Sequence, residues 1–154
     1  MITDVTWDGM LYVAEHLRAD DLAEVMATRF DDIPRCFAAD HALIPGPKYL
    51  ALAKDGTPVA LGGIAMHQPG VGQAWLVGTP RINECALEIA RAGKAGIARF
   101  MDTPGCHRLQ AFSVATHTVA HRWLASLGMR PESTLPKFGK RGEDFILFSI
   151  LREV

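Results

Sequence analysis

The sequence predicts a mixed α/β fold in which a twisted, mostly antiparallel sheet of about six or seven strands is flanked by helices. Three observations predict it. The apolar residues run at helical spacing near residue 25, change to a period of two from Tyr49, and return to helical spacing beyond Thr79. A DGT turn joins two alternating runs, YLALAK and PVALGGIAM, into a hairpin. Each helical stripe must also cover an apolar surface, and a largely antiparallel sheet supplies it. The 154 residues, 49% hydrophobic and 21% charged with a formal net charge of -1, suit one domain over residues 1–154. A core of that size needs neither a structural metal nor disulfides. The composition argues against disorder, and the near-neutral charge carries no specific nucleic-acid signature.

After a short opening segment around Met10 to Val13, Asp20 to Phe30 places Leu22, Val25 and Met26 on one helical face, with Asp20 as N-cap. In DDIPRCFAADHALIPGP, Pro34, Pro45 and Pro47 leave loop and short helix both open. Gln73 to Val77 extends the hairpin to three antiparallel strands after the turn around Gly70. A second helix then follows with Thr79 as cap, Pro80 at its first position and a stripe of Ile82, Ala86, Ile89 and Ala90. It breaks at DTPG, residues 102–105. RLQAFSVA reads as a central strand. In THTVAHRWLASLGM, Thr116 is the expected cap, Val119, Ala120, Trp123, Leu124 and Leu127 share a face, and Gly128 takes the left-handed end position. STLPKF, a solvated GKRGED turn and FILFSIL close the chain as two strands.

Cys36, Cys85 and Cys106 show no CxxC spacing and are expected as free thiols in a reducing compartment. No apolar run approaches twenty residues, and MITDVTWDGM lacks a signal-peptide pattern, so a cytoplasmic location is expected. Residues 1–40 carry a net charge of -6 and the remainder +5, so an anionic ligand should meet the remainder. His117 and His121 stand four apart, but HTVAH lacks the glutamate of HExxH and spacing offers no third ligand; no metal is expected. Cys106 and His107 are neighbours whose side chains should diverge, which leaves Cys106 as a core thiol.

The element order, and SVATHTVAHRWLASLGM followed by a hairpin, resembles the GCN5-related N-acetyltransferase (GNAT) fold. It is also similar to the short divergent members encoded by tailed bacteriophages, among them an internal virion protein of podoviruses. The sharpest match is the helix ending in Leu127-Gly128-Met129. The resemblance implies that one strand parts from the next and that acetyl-CoA lies in the gap. Trp75, Leu76 and Val77 would then face the pantetheine, and Gly78, Thr79 and Arg81 the diphosphate, at a helix start whose free N–H groups favour an anion. His117 would contact the cofactor or act as a base, and Trp75 would either stack on the ligand or pack in the core.

The family pattern of Arg or Gln, two residues, then Gly-x-Gly or Gly-x-Ala is replaced here by Val77-Gly78-Thr79-Pro80-Arg81-Ile82-Asn83-Glu84. The tyrosine that protonates the departing thiolate corresponds to Leu124, which cannot donate a proton. Packing positions kept beside chemical positions lost favour a noncatalytic acetyltransferase-like protein that binds another protein, such as a phage structural protein, as a virion or assembly component. The alternative is an acetyl-CoA-dependent N-acetyltransferase acting on an amine.

Overall fold

The computed structural model describes residues 1–153. The chain opens with β1 (Ile2–Thr3), α1 (Trp7–Glu15), α2 (Ala19–Ala27) and α3 (Pro34–Leu43). The meander β2 (Lys48–Leu52), β3 (Pro58–Gln68) and β4 (Val71–Gly78) follows. A short 3-10 turn, Ile82–Cys85, leads into α4 (Ala86–Asp102), and β5 (Arg108–Val114), α5 (Thr118–Ser126), β6 (Arg130–Leu135) and β7 (Phe145–Leu151) complete the order. The strands form one open seven-stranded sheet in the order β1-β2-β3-β4-β5-β7-β6. Among the described residues, only the β4–β5 pairing is parallel.

Alternation along the strands sorts the core into two layers. Leu50, Leu61 and Val77 pack on one face against Met10 and Val13 of α1 and Phe37 of α3. On the other face, Ala51, Val59 and Ala60 meet Ile82 and Ile89, while Leu109, Ala111 and Phe148 meet Phe100 of α4 and Leu124 of α5. Phe100 of α4 packs directly over Gly72 of β4, for a side-chain carbon there would stand 2.7 Å from both Ile64 Cγ2 and Phe100 Cζ.

Several boundaries depart from the sequence expectation. Residues 34–43, left open as loop or helix, form α3 with Pro34 in its first turn. α2 starts ahead of Asp20, with Arg18 at the cap position and no side-chain cap. The long helix begins at Ala86 and not at Pro80, because Thr79 closes a tight turn: its hydroxyl accepts from Arg81 N (3.2 Å) and its carbonyl from Ile82 N (3.0 Å). That turn buries Ile82 against Ala51 of β2 and Val59 and Ala60 of β3, leaving it 7% exposed. Thr116 does not cap α5 with its side chain; His117 holds the cap position. Gly128, at φ +89, turns the chain at once into a strand that begins at Arg130 and ends before Pro136. The GKRGED turn is docked, with Lys140 N donating to Ala27 O and Lys140 Nζ to Asp32, both at 2.7 Å. Val119, expected on the buried face of α5, is half exposed.

Candidate active site

β4 and β5 pair over Val71–Gln73 and Arg108–Gln110 and then part. Between the diverging strands opens a cavity of about 460 Å³ whose walls include Ala74, Trp75 and Leu76 of β4, Ala111 and Ser113 of β5, Gly93 and Gly96 of α4, and Trp123 of α5. Gly78 turns its backbone away from β3: its N–H donates to Asp21 Oδ2 (2.7 Å) and its carbonyl accepts from Arg18 N (2.9 Å). The two-residue period of a strand gives Leu76 and Ala74 the same direction, so the Ala74 carbonyl and the Leu76 N–H and carbonyl face the gap beyond the last β5 pairing.

The wide end of the gap is bridged by one turn of α2. Asp21 takes the last N–H of β4, while Glu24 Oε1, three residues on, accepts from Val114 N at the end of β5 (2.5 Å). Arg18 Nε lies 2.8 Å from Asp21 Oδ2 and offsets its charge, a requirement for a carboxylate only 3% exposed. His117, at the start of α5 and 8% exposed, donates from Nδ1 to Glu24 Oε2 (2.8 Å). With the proton on Nδ1, Nε2 carries the free lone pair, and it lies 3.8 Å from Asp21 Oδ1. A carboxylate that orients a histidine through one nitrogen and leaves the other without a hydrogen bond suits proton transfer.

Of the seven residues marked in the sequence, Trp75, Leu76 and His117 line this cavity. Trp75 directs its ring edge-on to His41 and Phe37 of α3, with centroids at 4.5 and 6.4 Å, so it packs against the α3 layer. Burial holds the neighbouring His41 imidazole below its ordinary range, and burial pushes the Tyr49 phenol in the cavity wall up to about 12. Val77 and Thr79 are buried and Gly78 is tied to α2. Arg81 stands outside the cavity, its guanidinium held by Glu84 (2.6 and 2.9 Å) and Asp55 (3.0 Å). Leu124, at the tyrosine position, is a core side chain 6% exposed. His121 donates from or accepts at no carboxylate; its Nε2 meets Val114 O at 3.0 Å.

The two parts of a CoA site fare differently. The gap, with its unpaired strand edge, fits a pantetheine arm. The turn after β4 does not fit a diphosphate: Gly78 N is held by Asp21, Thr79 N by Val59 O (2.9 Å), Glu84 N by Arg81 O (3.0 Å), and Pro80 has no N–H. Sequence reasoning missed Arg18, Asp21, Glu24 and Ser113. A signal existed for the acids, since Asp21 is four residues from Val25 on the inward side of an amphipathic helix.

No family model and no curated protein matches the sequence. Solved structures do match the fold. A GNAT-family acetyltransferase from Bacillus anthracis superposes with a TM-score of 0.72 at 16% identity, over 97% of this chain and 93% of that one. A phosphinothricin acetyltransferase from Sinorhizobium meliloti, in complex with acetyl-CoA, gives 0.70 at 14% identity over 98% and 87%. A mutant spermidine N-acetyltransferase from Vibrio cholerae gives 0.70 at 8% identity over 98% and 94%. The fold is that of the GNAT acetyltransferases.

Proposed function

We propose that this chain transfers an acyl group from a pantetheine thioester, such as acetyl-CoA, to an amine. The observation that carries the reading is the parting of β4 from β5 beside His117, a cavity-lining residue whose Nδ1 is held by Glu24 and whose Nε2 lies 3.8 Å from Asp21 Oδ1 without a hydrogen bond. The strand edge at Ala74 and Leu76 would hold the arm as an added strand holds to a sheet. The thioester supplies an activated acyl carbon. His117 Nε2 takes a proton from the amine as its nitrogen bonds that carbon, and returns a proton to the sulfur as the carbon–sulfur bond breaks. Asp21 and Glu24 stabilise the imidazolium between those two transfers. That the superposed structures are acetyltransferases supports this reading.

Titration calorimetry with acetyl-CoA, followed by thiol release in the presence of amines, tests it. Saturable binding is expected, and His117→Gln should lower kcat about 10²–10⁴-fold while retaining the affinity. A second reading, a noncatalytic fold that binds a protein such as a phage structural component, is favoured by the filled turn after β4 and by Leu124. Absence of binding at millimolar thioester would leave that second reading in its place.

A further inference from the structure

Among the described residues Arg18 Nε and Ser113 Oγ are the buried side-chain atoms without a hydrogen bond; Arg18 Nε has a carboxylate 2.8 Å away, which leaves Ser113 as the residue the fold does not explain. It is 1% exposed, yet its Oγ has no hydrogen-bond partner. It shares its strand face with Leu109 and Ala111, the face covered by α4 and α5, and it lines the cavity. A buried hydroxyl left unpaired destabilises a fold relative to alanine at the same place, so such a group calls for a partner from outside the chain. The pantetheine arm carries two amides, and a hydroxyl can donate to a carbonyl or accept from an N–H.

The other end of a CoA molecule meets the opposite situation. In the β4–α4 turn the Gly78, Thr79, Arg81, Ile82 and Glu84 amides are already bonded within the chain, Pro80 has none to offer, and Arg81 is clamped by two carboxylates. A diphosphate would have to displace these bonds to be read. We propose that the site selects its donor by the pantetheine arm, with Ser113 Oγ as the buried polar contact, and makes no use of the nucleotide. The donor class is therefore an acyl-pantetheine thioester, whatever its phosphate is attached to. This rests on the acyl-transfer reading above.

The test is calorimetric titration of the full chain with acetyl-CoA, S-acetylpantetheine and adenosine 3′,5′-bisphosphate. The two thioesters should bind within about threefold of each other, and the bisphosphate should not compete. Ser113→Ala should weaken both thioesters about 5–10-fold, the loss of one hydrogen bond, while the thermal midpoint stays level or rises. Acetyl-CoA binding more than tenfold tighter than S-acetylpantetheine would overturn the nucleotide half. Unchanged affinity in Ser113→Ala, or a lowered midpoint, would overturn the Ser113 half. Either result with wild-type binding intact leaves the acyl-transfer reading standing, whereas no binding of either thioester removes both.

Discussion

Asp21 joins three parts of the molecule, and its removal has a calculable effect. Asp21→Ala leaves Gly78 N–H without its 2.7 Å acceptor and Arg18 without the carboxylate 2.8 Å from Nε. A hydrogen bond to a charged group contributes about 1.5–3 kcal/mol, and breaking a fully buried ion pair costs about 3–5 kcal/mol. The Arg18 side chain is 27% exposed, so it can turn toward water, which places the expected loss at about 2–4 kcal/mol. Asp21→Asn retains an oxygen for Gly78 N–H and loses only the charge, for which about 1–2 kcal/mol is expected. Urea denaturation at pH 7, followed by circular dichroism, measures both. A loss of 3 kcal/mol corresponds to a fall in Tm of about 6–12 °C in a chain of this size. A shift under about 0.5 kcal/mol in Asp21→Ala would refute the bridge across the strand ends. An asparagine variant as unstable as the alanine variant would show that the Gly78 bond contributes nothing.

Two further predictions concern the layers on either side of the gap. Gly72→Ala introduces a carbon 2.7 Å from Ile64 and Phe100, and overpacking of about 1–3 kcal/mol should appear as a lower urea midpoint. Burial holds His41 below its ordinary pKa, so the folded state resists its protonation; the stability present above about pH 6.5 is lost as the pH falls through the lower folded value. The urea midpoint should therefore drop more between pH 7.5 and 5.5 in the wild type than in His41→Gln, and equal drops would contradict the burial.

Much of the fold was legible because it rests on local patterns. The DGT hairpin and the Gly128 terminus each declare themselves within a few residues. α3 was not legible, because Phe37 and Ala38 are its only buried residues and two positions set no period. The start of α4 misled for a different reason. Thr79-Pro80 is a sound helix opening by local rules, and only the burial of Ile82 beneath Gly78 diverts it into a turn. At the site, His117 could be singled out by its place before a helix, but its partner Glu24 lies 93 residues away and no spacing announces it.

The same long-range pairing decides what the uneven charge of the sequence means. Read along the chain, an acidic opening before a basic remainder suggested a basic face for an anion. In the fold, much of that charge is turned inward on itself. Asp31 and Asp40 grip Arg29, Asp32 takes Lys140, and Glu24 takes His117. The exposed pairs contribute little, on the order of 0–1 kcal/mol each. Asp21 and Glu24 are the less exposed acids of the set, and they alone fasten the ends of β4 and β5. Of these pairs Asp32–Lys140 and Glu24–His117 join the acidic opening to the rest of the chain, and the second docks α2 across the open end of the gap. Because α2 closes that end, a donor arm would lie on the face covered by α4 and α5, where Ser113 points, and not run out along the strands past Gly78.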